Sequence, residues 1–496
     1  MSTTLSKTVV SQWSSKDPAD LFDVDNPATG DVIAQVQGSG VAEVHAAVSA
    51  AHAAFVGNWR DLPARERGAL LMGAGKHLET HAQELAELVS LENGKPVRDA
   101  LQFDVASLTA SFGYFGALAG KLAGDYVDLG FVTSATIREP FGVVAGIIPF
   151  NWPPIHTGAK VAPALAAGNT IVVKPGDQAP LTILRIVELL NEVLPKDLVH
   201  CVLGVGPAIG QALTTHPLVR KISFTGAPTT GTAVLKAAAE RHVPVLCELG
   251  GKNPFIVMPD ANVGHAVRDA IDGAFFNKGE ACTAASRLLV HQDIHDEFVE
   301  RLCAAVRKLR VGDGALDTTH VGPVISKAQK EKIENYIRIG QEEGAVIAAQ
   351  GQRPEDPRLK NGYFVPPTVL TGVSANMRVA QEEIFGPVAC VMRFADEQEA
   401  IAIANGTQFA LVAGIYSGDL ETANRMARRV EAGLVFVNNY NRMVMGTPFG
   451  GTKSSGYGRE HCAATLHEFS YAKAIRLPTG RVPLPQWKAV VDIFGP

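Results

Sequence analysis

A chain of 496 residues is too long for one hydrophobic core, so two domains or more are expected. Hydrophobic residues make up 46% and charged residues 19%, a globular balance that excludes a disordered chain. The formal net charge of −5, without a basic block or a basic amphipathic stretch, speaks against nucleic-acid and membrane-surface partners.

Residues 1–40 are mixed and polar, and Asp25-Asn26-Pro27-Ala28-Thr29-Gly30-Asp31 reads as a turn between two short strands. From 41 to 123 the chain is rich in Ala and Leu at helical spacing. The clearest run is 64–90, with Pro63 as its opening residue. Residues 126–138 alternate as an extended segment. Residues 142–148 form a compact apolar run that suits a strand buried on both faces. The pattern recurs at 170–174, 199–203, 221–225 and 254–257, with helical segments at 157–167, 180–193, 206–216 and 229–240. A second series follows Cys282, with strands at 287–291, 364–371, 388–394, 413–417 and 433–438 and helices at 295–309, 326–343, 396–405 and 419–430. Strand–helix alternation of this kind predicts α/β architecture, two units in tandem, each a parallel sheet covered by helices.

The six cysteines are scattered and form no C-x-x-C pair, so no metal is expected and the thiols suit a reducing compartment. The first seven residues lack the apolar core of a signal peptide, and the longest apolar runs span about half a bilayer. A cytoplasmic enzyme is the expectation.

Five segments carry chemistry. Cys282, set in Phe275-Phe276-Asn277-Lys278-Gly279-Glu280-Ala281-Cys282-Thr283, is a candidate nucleophile, and Glu248, followed by Leu249-Gly250-Gly251-Lys252, is a candidate base. A buried structural cysteine and a surface glutamate are the plain alternatives. Gly226-Ala227-Pro228-Thr229-Thr230-Gly231 follows a strand and opens a helix, where free N–H groups suit a phosphate. A ligand-free glycine turn fits the same residues. Lys174-Pro175-Gly176-Asp177 ends a neighbouring strand, and Asp177 suits either ribose hydroxyls or a local turn. Pro149-Phe150-Asn151-Trp152-Pro153-Pro154 also ends a strand, and Asn151 suits an oxyanion donor or a rigid turn. His156 beside it reads as a pocket-wall histidine with its hydrogen bonds satisfied.

Taken in order, Pro-Phe-Asn-Trp-Pro, the strand ending Lys174-Pro175, Phe224-Thr225-Gly226, Glu248-Leu249-Gly250-Gly251-Lys252 and the Cys282 segment resemble aldehyde dehydrogenases. Glu382-Glu383-Ile384-Phe385-Gly386-Pro387 and Pro448-Phe449-Gly450-Gly451-Thr452-Lys453-Ser454-Ser455-Gly456 complete a match over nearly the whole chain. The resemblance implies two Rossmann-like open-sheet α/β domains with a small β oligomerisation arm. Residues 1–117 and 141–250 would bind the dinucleotide, 251–447 would form the catalytic domain, and 118–140 with 471–496 the arm. Residues 132–137 alternate as if to pair with another subunit at a sheet edge, and a homodimer or homotetramer is expected.

The resemblance also implies roles. Cys282 would attack an aldehyde to form a thiohemiacetal and then a thioester, Glu248 would be the base for hydrolysis, and Asn151 the oxyanion donor. The presence of Glu248 favours hydrolysis over transfer to coenzyme A. Lys160 and Glu460 match a proton outlet, or else a structural ion pair. The cofactor residues implied are Ile147, Pro149, Lys174, Asp177, Gly206, Phe224, Gly226, Gly231, Leu249, Glu383 and Phe385. Asp177 stands where glutamate is common in relatives that prefer NAD, and Ala227 replaces a serine that touches phosphate, so NAD with some use of NADP is expected. Tyr114, Trp152, His156, Ala159, Arg442, Met443 and Met445 would line a tunnel for an aromatic or medium-chain apolar aldehyde. A semialdehyde dehydrogenase, a nitrilase- or amidase-like cysteine hydrolase and a non-enzymatic binding protein are the rival readings.

Overall fold

The computed structural model describes residues 8–440 and 444–495. Its first sheet begins where the sequence turns continuously apolar, with β1 (Val143–Ile148), β2 (Thr170–Pro175), β3 (Val199–Cys201), β4 (Val219–Thr225) and β5 (Val245–Glu248). These pair in parallel in the order β5-β4-β1-β2-β3, and Gly456–Tyr457 joins antiparallel at the β5 edge. Helices cover both faces, so inward and outward side chains alike are apolar and the strands show no alternation. The order reverses between β1 and β4. Their carboxyl ends, which lead into Pro149 and Gly226, therefore open a crevice at a topological switch point, where open α/β sheets take their ligands.

The second sheet contains β6 (Pro254–Val257), β7 (Arg287–His291), β8 (Val346–Gln350), β9 (Thr368–Thr371), β10 (Val388–Phe394), β11 (Val412–Tyr416) and β12 (Leu434–Val437). Its order is β8-β9-β10-β7-β6-β11-β12, with β8 antiparallel at one edge. A three-stranded sheet lies apart, made of Tyr126–Asp128, Val132–Pro140 and Ser470–Pro478. Two open α/β sheets and a small β unit are the fold class expected from the sequence.

Several expectations need correction. The helical run 64–90 is two helices, α1 (Ala64–Thr80) and Ala82–Asn93, because His81 leaves helical geometry at φ −106° and ψ 15°. Pro63 caps α1 from outside at ψ 135° rather than opening it. The strand placed at 364–371 begins only at Thr368, since Pro366 and Pro367 have no N–H to give a ladder. Val132–Pro140 is the central strand of its sheet, not an edge, because Ser470–Pro478 returns to pair along its whole length. Strands β5 and β8 and the helix Val263–Phe275 were not anticipated. The omission of β5 matters most, since it ends on Glu248.

Two further helices position the site. The helix α2 (Ala106–Leu118) crosses α1 at glycines, and α3 (Pro153–Ala166) is buried along its whole length. A Cβ at Gly68 of α1 would stand 2.4 Å from the Gly116 carbonyl oxygen of α2, so the backbones touch where no side chain fits. On the opposite side of α1, a Cβ at Gly73 would meet nothing within 4 Å. We expect Gly68→Val to destabilise by about 1–3 kcal/mol through overpacking. Gly73→Ala should stabilise by about 0.5–1 kcal/mol through helix propensity. Thermal inactivation of the two variants should move in opposite directions.

Candidate active site

The cysteine segment begins where the helix Val263–Phe275 breaks. Asn277, Lys278 and Gly279 follow with φ of 49°, 52° and 67°, three consecutive left-handed residues. Gly279 is required, because a Cβ there would lie 2.2 Å from the Gly386 carbonyl oxygen. The two non-glycine residues cost energy in this region and persist because buried polar groups over-determine them. Lys278 Nζ donates to the Asn93 carbonyl at 2.9 Å and also to the Asn93 side chain, and stands 3.4 Å from Glu280 Oε2. Asn277 Nδ2 donates to the carbonyls of Asn151 at 3.0 Å and Glu280 at 3.1 Å. Beside them Lys95 Nζ holds both Asp104 oxygens, at 2.7 and 2.8 Å, and sits 3.6 Å from the centre of the Trp152 ring. Burial pushes Lys278 and Lys95 down and Glu280 and Asp104 up, and each ion pair opposes that drift.

This platform fixes the candidate groups. Asn151 Nδ2 donates to the Glu280 carbonyl at 3.0 Å, which spends one amide hydrogen and leaves the other for a ligand near Cys282. The Cys282 carbonyl accepts from Asn253 Nδ2 at 2.8 Å, and a Cβ at Gly251 would lie 2.4 Å from that same oxygen. The Gly250-Gly251 pair thus lets the backbone after Glu248 lie against the cysteine. The thiol is half-buried, and burial, then Glu383, then Glu248 all raise its pKa. These influences all disfavour the thiolate.

Glu248, at the end of β5, is buried, and neither carboxylate oxygen has a partner among the described residues. Burial and the neighbouring Glu460 push it well above the usual carboxylate range, against Lys160 and Arg459. Lys160 Nζ, from the middle of α3, binds Glu460 Oε1 at 2.9 Å, Thr225 Oγ1 at 2.8 Å and Ser223 Oγ at 3.1 Å. Lys160 and Glu460 are wholly buried, so the base candidate sits beside a dry ion pair.

The cofactor candidates gather at the crevice. Ile147 and Pro149 flank the end of β1, and Lys174 at the end of β2 turns its Nζ to the Pro175 carbonyl at 3.1 Å. Asp177 lies half-buried in the turn beyond. Gly206 has φ 76° and open space where a Cβ would be, so the backbone there is free for close approach. Gly226 and Gly231 serve packing instead. Added Cβ atoms would stand 2.7 Å from the Phe224 ring and 2.6 Å from Leu249, respectively. The Gly226 N–H is spent on the Glu248 carbonyl at 3.1 Å, so of the N–H groups expected at this turn, those of Thr229 and Thr230 stay at the exposed helix start. From the other side Glu383 accepts the Gly251 N–H at 2.9 Å, and the Phe385 ring, on a residue with φ 60°, meets Phe150 edge-on at 5.9 Å.

Of the tunnel residues, Trp152 packs with Ile155 and Ala281 in one apolar cluster, and Ala159 is fully buried in α3. Met445 lines a cavity of about 210 Å³, and Tyr114 packs on Gly446 close by. Arg442 and Met443 lie outside the described residues. His156 corrects an expectation, since both ring nitrogens are buried without a partner among the described residues. The cavity wall also includes Ala106, Ser107, Ala110, Phe449 and His461, which the sequence did not single out. Two small residues four apart, Ala106 and Ala110, were the available sign of a concave helix face.

The family model described as "Aldehyde dehydrogenase family" matches residues 13–475. An aldehyde dehydrogenase of Didymella fabae is 51% identical over 489 residues, 99% of each chain. Betaine aldehyde dehydrogenase of Bacillus subtilis (strain 168) is 38% identical over 94% of this chain and 95% of its own. Among solved structures, PnpE of Pseudomonas sp. WBC-3 in complex with nicotinamide adenine dinucleotide has a TM-score of 0.91 at 42% identity, over 94% of this chain and 96% of its own. Betaine aldehyde dehydrogenase of Staphylococcus aureus in complex with NAD+ has a TM-score of 0.93 at 36% identity, over 100% of this chain and 97% of its own.

Two outcomes are expected from this geometry. Lys95→Met strands the Asp104 carboxylate in a dry site and should destabilise by about 3–5 kcal/mol, while Lys95→Met with Asp104→Leu should recover much of the loss. Denaturant midpoints of the two variants measure the difference. Alkylation of Cys282 by iodoacetamide should keep rising with pH instead of levelling near roughly 8.5, where a free thiol titrates. A plateau at neutral pH in the protein without ligand would contradict the raised thiol pKa.

Proposed function

The chain belongs to the aldehyde dehydrogenase family, and on that premise we propose that it oxidises an apolar aldehyde to the carboxylic acid with NAD, using Cys282 as nucleophile. The observation that carries the reading is the convergence of a half-buried thiol, the amide of Asn151 and the unpartnered carboxyl of Glu248 on one crevice between the two sheets. The Cys282 thiol gives its proton to Glu248, which hands it on to the Lys160–Glu460 pair. The sulfur adds to the carbonyl carbon, and the Asn151 amide with the Cys282 N–H holds the resulting oxyanion. A bound nicotinamide ring would supply the hydride acceptor that the conversion of this adduct to a thioester requires. Glu248 then takes a proton from the water that hydrolyses the thioester, and its raised pKa suits a base that works near neutrality. The ion pair of Lys160 and Glu460 gives that proton a buried route outward.

The residues present suit a dinucleotide. The switch-point crevice, the open backbone at Gly206, the cation of Lys174 and the carboxylate of Glu383 supply donors and acceptors for phosphate and ribose. Asp177 disfavours a 2′-phosphate, so NAD is preferred and NADP is used less well. Residues 1–117 and 141–250 bind the dinucleotide, 251–447 carry the thiol, and 118–140 with 471–496 build the contact of a homodimer or homotetramer. Apolar side chains left exposed at Leu477, Trp487, Ile493 and Phe494 support that assignment. No described helix is long and apolar enough to cross a membrane, and a cytoplasmic site fits the free cysteines. No acid, lysine or arginine lines the cavity among the described residues, which favours a neutral aldehyde over a quaternary ammonium or carboxylated one.

The test follows reduced nicotinamide with NAD, NADP and a panel of benzaldehyde, octanal, betaine aldehyde and succinic semialdehyde. Benzaldehyde or octanal should turn over best, with a higher kcat/KM for NAD than for NADP. Cys282→Ala should abolish the signal. Glu248→Gln should keep a first-turnover burst and lose steady-state rate by roughly 100- to 10,000-fold. Amide or nitrile hydrolysis without nicotinamide, or a preference for succinic semialdehyde, would overturn the reading.

A further inference from the structure

The cavity of about 210 Å³ is apolar over most of its wall, with Ile155, Met445 and Phe449 among its lining. Ile155 also belongs to an apolar cluster with Trp152 and Ala281, the residue before Cys282. Polar side chains reach it from Ser107, Thr447 and His461, and Thr447 already donates its hydroxyl to the Val444 carbonyl at 2.7 Å. His461 is placed at a cost, since its φ of 62° is left-handed for a branched-ring residue. That conformation lets adjacent side chains diverge. Glu460 points to Lys160, while the His461 ring meets Phe449 at 5.8 Å and faces the cavity.

His156 follows Ile155 on α3. It is 5% exposed, and neither ring nitrogen has a partner among the described residues. A buried polar group without a partner points to a ligand that supplies one. The charged and titratable groups around it are Lys160, His461 and Lys95, and all three, with burial, disfavour a second proton on His156. Burial and Lys160 also lower His461, against Glu460. Each imidazole is therefore neutral and presents one donor and one acceptor.

We propose that His461 on the wall of this cavity, together with the buried His156 next to the lining residue Ile155, forms a hydrogen-bonding subsite, and that the substrate is an aromatic aldehyde bearing a hydroxyl group. This deepens the preceding reading and rests on it for the reaction. A hydroxyl both donates and accepts, which matches neutral imidazoles, whereas a carboxylate or an ammonium matches only one of their two functions. The ring of such a substrate suits the contacts offered by Phe449 and Met445. A site built to bond a hydroxyl discriminates against the analogue that lacks it, because its own polar groups are then left unpaired.

The experiment compares kcat/KM with NAD for benzaldehyde, the three hydroxybenzaldehydes and the matching methoxybenzaldehydes. At least one hydroxy isomer should exceed benzaldehyde by about ten-fold or more, and its methoxy analogue, which cannot donate, should lose that advantage. His156→Met and His461→Leu should each pull the hydroxy-to-plain ratio toward unity. Thermal inactivation checks that the variants fold, and two separate positions guard against one that does not. A wild-type ratio near unity, or a ratio unchanged in both folded variants, overturns the proposal. Should no aldehyde reduce nicotinamide, the catalytic reading falls, and calorimetry on Cys282→Ala still decides the subsite. Tighter binding of the hydroxy isomer by about ten-fold would uphold it, and equal affinities would overturn it.

Discussion

Two lysines and two carboxylates buried behind the Cys282 turn are the constraint on which the rest of the site depends. Lys278 and Glu280 belong to the turn itself, while Lys95 and Asp104 come from the helical region before the first sheet. A buried ion pair contributes little net stability, because desolvation cancels most of the attraction, but it demands one geometry. Here that geometry ties three segments into one unit. Lys278 grips the backbone after the helix Ala82–Asn93, Asn277 grips the carbonyl of Asn151, and Asn151 grips the carbonyl of Glu280. The left-handed pair Asn277 and Lys278 is the strained part, and these bonds prevent it from relaxing. Asn151 and Cys282 come from different sheets and are held in register by this network rather than by apolar packing alone.

A second buried pair acts on the other side of the thiol. Lys160 rises from α3, Glu460 arrives after the chain returns from the second sheet to the first, and both lie beside Glu248. The two-residue strand Gly456–Tyr457 makes this possible, because it pairs with Cys247 and Glu248 and fixes the returning segment against β5. The Gly456 carbon approaches that strand so closely that a Cβ would stand 1.9 Å from the Cys247 carbonyl oxygen. The glycine-rich stretch that precedes Glu460 is thus an instrument of docking, and the charge it delivers adds to burial in raising the Glu248 carboxyl.

Much of the fold was legible from the sequence because strands buried on both faces must be apolar throughout. The runs at 143–148, 170–175, 287–291 and 388–394 could hardly be anything else. Glu248 was legible as a residue but its strand was not. Val245–Glu248 is four residues long and ends on a carboxylate, which local propensity reads as the start of a loop. Lys95, Asp104, Lys278 and Glu280 went unread for a similar reason. Charges are solvated by default, and these are buried by contacts such as Asn93 with Lys278, 185 residues apart. The histidines mark the same limit, since whether a buried imidazole is satisfied depends on what faces it across the fold, and His156 proved to be unsatisfied.

These arrangements resolve an apparent conflict in the electrostatics. A nucleophilic thiol should be easy to ionise, yet burial, Glu383 and Glu248 all oppose the thiolate. Likewise a base should be free to ionise, yet burial and Glu460 push the Glu248 carboxyl well above the usual carboxylate range. Both oppositions weaken once positive charge enters the crevice between Glu383 and the thiol, because a cation there stabilises the thiolate and the carboxylates together. An oxidised nicotinamide ring carries such a charge and a reduced one does not. The strained turn, the buried pairs and the unpartnered carboxyl then form one device. They hold Cys282, Asn151 and Glu248 in one geometry at a cost in stability.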